Sequence, residues 1–188
     1  MKKQLLGLGL ALGVASFLAV GDANAKDMSG WKVLGSGSGI VDGQTYSLQN
    51  LESGSFLGYQ DRWGGNFGWD GSANNGMKIA RKSGGTTPLK CGEVFALFIE
   101  KEWAIYGKQD FGINLTSRTK LDKDDYYQWK FSCPAGQTVQ LNQKVTLVNT
   151  KENDSLVPCK RTVGVNMCWA DDVVTFRGKT YRKADVPR

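Results

Sequence analysis

Apolar residues from position 45 onward come in short runs, mostly two to four residues long, divided by Gly, Asn, Asp and Ser. Tyr46-Ser-Leu48, Val94-Phe-Ala-Leu97 and Val145-Thr-Leu147 form one set of such runs. Phe56-Leu57, Ala104-Ile105-Tyr106 and Leu156-Val157 form a second. They are rich in β-branched and aromatic residues, bounded by turn formers, and too short for helices. Together they predict β-strands throughout and an all-β class. Thr86-Thr87-Pro88 and Cys133-Pro134-Ala135-Gly136 read as loops between blocks of strands.

The runs recur in register. Residues 45–69, a stretch from Val94 through 104–117, and one from Val145 through 156–169 each carry a Gly-x-Asn at one place. These are Gly64/Asn66, Gly112/Asn114 and Gly164/Asn166, with spacings of 48 and 52 residues. A larger apolar residue precedes each Gly: Trp63, Phe111 and Val163. A fixed period of this length is the mark of a fold assembled from like units. A β-sandwich accounts for the strands but leaves the triplication without a cause.

The chain opens differently. Lys2 and Lys3 precede an uncharged apolar stretch, Leu5 to Val20, and Ala23-Asn24-Ala25 supplies small residues for a peptidase. Residues 1–25 are therefore expected to be a signal peptide, the stretch being shorter than the roughly 20 residues that span a bilayer. The mature chain, residues 26–188, is one domain in size, secreted or periplasmic, with no transmembrane segment expected. It carries 22 basic and 17 acidic residues, net +5. That excess favours an anionic partner but is too small and dispersed to point to nucleic acid.

Four cysteines in an exported chain read as two disulfides, for which three pairings exist. Cys159 and Cys168 lie symmetrically about residues 163–164, so a hairpin there brings them opposite each other. Cys91 and Cys133 are left to pair. A zinc site is disfavoured, because there is no C-x-x-C and no His anywhere. The missing His also removes the usual nucleophilic triads, and no phosphate-binding loop is present. Asp124-Asp125 and Asp171-Asp172 are adjacent acids of the kind usually solvated in turns. No catalytic residue, metal or cofactor is assigned, and the protein is expected not to be an enzyme.

Three units of about four strands resemble the β-trefoil. Gly43-Gln44-Thr45-Tyr46-Ser47-Leu48-Gln49-Asn50 followed by Phe56-Leu57-Gly58 is similar to the opening of ricin-type lectin and fascin-like repeats. The resemblance implies a lead-in segment over 26–44 and a trefoil domain over 45–188, with units at about 45–90, 91–140 and 141–188. It implies a six-stranded barrel made of the first and last strand of each unit. Ile79, Trp129 and Phe176 take equivalent core places, and both disulfides fall within units. The Gln-x-Trp of ricin-type repeats is replaced by Tyr127-Gln128-Trp129 in the second unit and is absent from the others.

The function this implies is non-enzymatic binding, foremost lectin-like recognition of a cell-surface glycan. Aromatic faces stack on the C–H face of a sugar, and amides or carboxylates bond its hydroxyls. The candidate ligand-binding residues are Trp63, Asn66, Trp69 and Asp70 in the first unit, with Trp169, Asp171 and Asp172 in the third. The three Asn also serve as turn residues. A protein-binding trefoil, such as a toxin accessory subunit or adhesin, is the alternative. Another is a plant Kunitz-type inhibitor, which Val33-Leu34, Asp42-Gly43 and Tyr46 resemble and for which Lys78-Ile79-Ala80-Arg81-Lys82 or Lys90 supplies the basic contact loop.

Overall fold

A computed structural model describes residues 27–60, 66–70, 76–100, 102–105, 115–116, 121, 123–162 and 166–188. Positions 59–60, 66–70 and 115–116 are described for the backbone only. The class is all-β. Among the described residues there is no α-helix, only three single-turn 3-10 segments. The strands are β1 (Gly30–Leu34), β2 (Ser47–Asn50), β3 (Phe56–Gln60), β4 (Asn66–Asp70), β5 (Met77–Arg81), β6 (Val94–Ile99) and β7 (Glu102–Ala104). They continue with β8 (Leu115–Thr116), β9 (Tyr127–Ser132), β10 (Lys144–Asn149), β11 (Asp154–Pro158), β12 (Met167–Trp169), β13 (Val173–Phe176) and β14 (Lys179–Arg182).

Six of these strands pair antiparallel in a closed ring. β1 pairs with β2 and with β10, β10 with β9, β9 with β6, and β6 with β5. The ring closes where Tyr46, just before β2, bridges Met77 of β5, and the Gly43 N–H donates to the Ile79 carbonyl at 3.1 Å. Closure removes the exposed edges that an open sheet would carry. Three hairpins leave the ring: β3–β4, β7–β8 and β11–β12.

Strand periodicity decides what fills the interior. Trp31 and Val33 of β1, Phe95 and Leu97 of β6, Trp129 and Phe131 of β9, and Val145 and Leu147 of β10 alternate inward and are all buried in one cluster. The same alternation turns Arg81 inward behind Met77 and Ile79, leaving its side chain only 7% exposed. A guanidinium so placed needs compensation on every side. Its Nε donates to Asp42 Oδ1 and its own N–H to Asp42 Oδ2, both at 2.7 Å, and Nη2 donates to the Thr87 carbonyl at 2.7 Å and the Gly85 carbonyl at 3.1 Å.

Two turns are built alike. The buried Asn50 accepts at Oδ1 from the N–H of Glu52 and Ser53, and Asn149 accepts from Lys151 and Glu152, over 2.9–3.2 Å. Four residues on, Gly54 (φ 71°) and Asn153 (φ 57°) close each turn in the left-handed region, which Gly and Asn adopt most readily.

Cys91–Cys133 and Cys159–Cys168 are the two disulfides, the pairing that hairpin symmetry favours. The first ties the start of β6 to the end of β9, and the second closes the β11–β12 hairpin.

The structure departs from the sequence expectation at both ends of the chain. Residues 30–34, placed in a lead-in segment, form a ring strand paired on both sides. Phe176, expected in the core, is half-buried on the separate two-stranded β13–β14 sheet. Trp31 takes the inward place instead. A five-residue strand followed by the glycine-rich run 35–39 carries little local signal, and its two partners lie 13–19 and 112–116 residues away.

The β13–β14 hairpin lies across the β11–β12 region. Lys160 bridges Tyr181 in parallel, the Lys160 N–H donates to the Thr180 carbonyl at 2.8 Å, and the Arg182 N–H donates to the Lys160 carbonyl at 3.1 Å. Beneath it sits a second small cluster of Val157, Cys159 and Cys168, covered by Met28, Ala170 and Val173.

Candidate functional site

The third hairpin positions three of the sequence candidates. β12 pairs with β11 so that Leu156 faces Trp169, Val157 faces Cys168, and Pro158 faces Met167. Alternation sends Met167 and Trp169 to the main core side and Cys168 to the disulfide. Trp169 is half-buried. Its ring lies over the fully buried Trp129 ring at 6.4 Å and 27°, which fixes the indole plane and leaves its outer part at the surface.

The chain then makes a 3-10 turn over Ala170–Asp172. This turn carries the Asp171 N–H to Asp154 Oδ2 at 2.9 Å, while Asp154 Oδ1 accepts from the Ser155 N–H at 2.6 Å. The Asp171 pKa lies above its ordinary value of 3.8, raised first by hydrogen bonding with the Asp154 side chain, then by desolvation and the charges of Asp154 and Glu152, with Lys183 opposing. Asp172 is engaged elsewhere, its Oδ2 accepting from Arg182 Nε at 2.9 Å. Lys183 Nζ donates to the Asp171 carbonyl. The site is thus an anchored indole edge beside an exposed carboxyl pair, flanked by two cationic side chains.

In the first hairpin, β4 carries Asn66, Trp69 and Asp70, opposite Gln60, Leu57 and Phe56. Trp69 and Trp169 hold matched places, each paired with the Leu that follows the start of its hairpin. β4 and β12 lie side by side in the fold. Trp63 lies outside the described residues, as do the Gly-x-Asn positions 112, 114 and 164. Asn166 is described, and its backbone carbonyl accepts from the Cys159 N–H across the β11–β12 hairpin at 3.2 Å.

Two other sequence candidates change standing. Residues 78–81 of the basic segment belong to ring strand β5, with Ile79 and Arg81 buried, so this segment is no protruding inhibitor loop. Lys90 is exposed but bridges Thr138. Asp124 and Asp125 are solvated acids that pair with Lys82 and Lys151 at 2.8 and 2.9 Å. Among the described residues no cluster of three or more Cys, Asp or Glu is placed to hold a metal ion.

Sequence reading missed Asp154 and Arg182. Asp154 follows Asn153 and reads as a turn residue, and Arg182 lies near the end of the chain among other cations, Lys179 and Lys183. The β11–β12 pairing brings Asp154 to the Asp171 N–H, and Arg182 reaches Asp172 from β14.

No protein-family model matches the chain, and no curated protein or solved structure matches it significantly. The disulfides fit an oxidising environment outside the cytoplasm. No helix among the described residues is long and apolar enough to cross a membrane.

Proposed function

We propose that this is an exported, non-enzymatic binding protein on a β-trefoil scaffold, and that it recognises a cell-surface glycan. The scaffold reading rests on repetition of pairing. In each of the sets β2–β5, β6–β9 and β10–β12 with β1, the first strand meets the second, the second meets the third, and the fourth returns to the first. Two buried tryptophans sit at matched places in this scheme. Trp129 Nε1 donates to the Ala104 carbonyl and Trp31 Nε1 to the Leu156 carbonyl, each at 2.9 Å. On this reading the N-terminal strand completes the third unit, and residues 173–188 are an addition to the trefoil.

The observation that carries the binding role is Trp169: an indole clamped by Trp129, partly open to solvent, with the exposed Asp171 carboxyl within the same turn. A fixed aromatic platform beside hydrogen-bonding oxygens suits a sugar ring. It costs little ordering on binding because the ring is already held. The fold alone does not define the ligand.

The test is a glycan array probed with disulfide-intact residues 26–188. Trp69→Ala, Trp169→Ala and Asp171→Asn serve as variants, each checked for folding by near-UV circular dichroism. Specific binding that folded Trp169→Ala and Asp171→Asn lose supports the reading. A blank array, or binding indifferent to all three substitutions, refutes it and leaves a protein partner as the alternative.

A further inference from the structure

The β13–β14 hairpin stands outside the ring as a sheet of two strands. The far edge of β14 is occupied, because Lys160 bonds both the Thr180 carbonyl and the Arg182 N–H. Those bonds fix where the other backbone groups point. In an antiparallel strand the N–H and carbonyl of one residue face the same side, and successive residues alternate. Thr180 and Arg182 therefore point away from β13, while Lys179 and Tyr181 point toward it. Their partners Phe176 and Val174 point back to β14. The N–H and carbonyl of Thr175 and the carbonyl of Val173 face outward, along the other edge of β13. Among the described residues none of these three groups holds a hydrogen bond. The turn gives the same phase. Arg177 and Gly178 both lie in the left-handed region (φ 49° and 71°) and form a two-residue loop that closes on Phe176 and Lys179.

This edge lacks the devices that keep exposed strands from pairing. Residues 173–176, Val-Val-Thr-Phe, contain no charge and no Pro, and their register with β14 runs without a bulge. Val174 projects from the strand 40% exposed, an unusual state for a large apolar side chain in this fold. The two ends of the strand carry opposite charge. Asp171 and Asp172 precede it. Arg177 follows it, with its guanidinium over the Phe176 ring at 5.0 Å and no carboxylate partner among the described residues.

We infer that this edge is a self-association surface, on which β13 of a second copy pairs antiparallel with β13 about a two-fold axis. The phase allows a register centred on Val174. The Thr175 N–H of each copy then donates to the Val173 carbonyl of the other. The two exposed Val174 side chains meet in a non-hydrogen-bonded pair, where cross-strand side chains come closest. A two-fold also sets the acidic end of each strand against the basic end of the other. In this register Asp171 of one copy comes beside Arg177 of the second, and the contact occurs twice. Any extended segment satisfies the backbone of an edge, but opposite charges at the two ends favour this same chain run in reverse. The contact is confined to a four-residue strand from each copy, so the dimer is weak and reversible. The inference does not depend on which ligand Trp169 takes.

The experiment is sedimentation equilibrium of disulfide-intact residues 26–188, loaded from about 10 µM to 1 mM, where a small interface registers. The expected result is a reversible monomer–dimer equilibrium within that range. Thr175→Pro removes the outward N–H and no bond of the hairpin, and Val174→Lys puts a charge on the edge. Each should abolish the dimer while leaving far-UV circular dichroism and the unfolding midpoint close to wild type, and Val174→Lys decides the matter if Thr175→Pro does not fold. Asp171→Lys and Arg177→Glu each set like charges together at both ends and should each weaken association on the order of tenfold. Mixing these two variants restores association, because every end contact in the mixed dimer joins opposite charges. A wild-type protein that stays monomeric throughout overturns the inference and leaves the edge to an extended segment of a different protein. A dimer untouched by Val174→Lys overturns it by placing the interface elsewhere. A mixture that associates no better than either variant alone overturns the antiparallel pairing on which it rests.

Discussion

Replacing Trp31 by Ala tests the claim that the N-terminal strand closes the ring. The indole is fully buried, packed in the main core, and its Nε1 donates to the Leu156 carbonyl at 2.9 Å. Truncating a buried aromatic to Ala costs about 3–5 kcal/mol through lost burial and the residual cavity. The abandoned Leu156 carbonyl adds roughly 1 kcal/mol or more, unless water enters the space. The expected loss is therefore about 4–6 kcal/mol, a large share of the roughly 5–15 kcal/mol that holds a domain together. Trp31→Phe keeps most of the packing and loses only the donor and part of the ring, so about 1–3 kcal/mol is expected. Phe176→Ala, on the outer hairpin with a half-buried ring, should cost about 1 kcal/mol. Guanidinium unfolding of the oxidised protein, followed by tryptophan fluorescence and far-UV circular dichroism, gives the three values, provided the slopes agree. A Trp31→Ala loss below about 2 kcal/mol, or one no larger than that of Phe176→Ala, would refute the reasoning, because a ring strand cannot be that dispensable.

Three further outcomes follow from the same structure. Removing Cys91–Cys133 should cost about 3.9 kcal/mol and Cys159–Cys168 about 2.6 kcal/mol, from loop separations of 42 and 9 residues in the chain-entropy description, and equal losses in denaturation of the paired Ala variants would contradict it. Asp42→Ala leaves the buried Arg81 guanidinium only the more exposed Glu93 carboxylate at 3.5 Å and should cost about 3 kcal/mol, the low end for breaking a buried pair, whereas Lys82→Ala, at a solvent-exposed ion pair, should leave the unfolding midpoint nearly unchanged in the same assay. The Asp154–Asp171 bond raises the Asp171 pKa above 3.8, so the folded state holds the extra proton; its stabilisation is complete below the unfolded pKa and fades as pH rises through the folded one. Asp27, lowered by hydrogen bonds from the Ser29 hydroxyl and N–H and by Lys144, has the opposite sign, contributing above 3.8 and losing that contribution as pH falls through its folded value. Carboxyl ¹³C titration should show Asp171 moving back toward 3.8 in Asp154→Asn, and an unmoved titration would remove the carboxyl pair from the site.

Strand identity was legible wherever apolar residues alternated within a short window. Tyr46-Ser-Leu48, Val94 to Leu97 and Val145-Thr-Leu147 announced strands because a pleated chain buries every second side chain. The hairpin disulfide was legible for a similar reason: two cysteines symmetric about a Gly-containing turn have only one local geometry to satisfy. The absence of His constrained chemistry without any structure. Trp169, Asp171 and Asp172 stood out as candidates because aromatic and carboxylate residues lie adjacent in sequence.

Everything that required distant segments to meet was decided by the tertiary structure. Which strand sits beside β10 depends on a choice between residues 30–34 and 173–176, two short apolar segments of similar local character. The choice falls to whichever side chain fills the interior. Trp31 does so and bonds the Leu156 carbonyl, while Phe176 stays half-buried outside. Arg81 looked like a surface cation in a basic run. Its inward register, and the Asp42 that neutralises it 39 positions earlier, exist only once β5 is in the ring. Alternation, spacing and composition are local quantities and fix local conformation, whereas burial and charge pairing depend on neighbours that only the closed ring supplies.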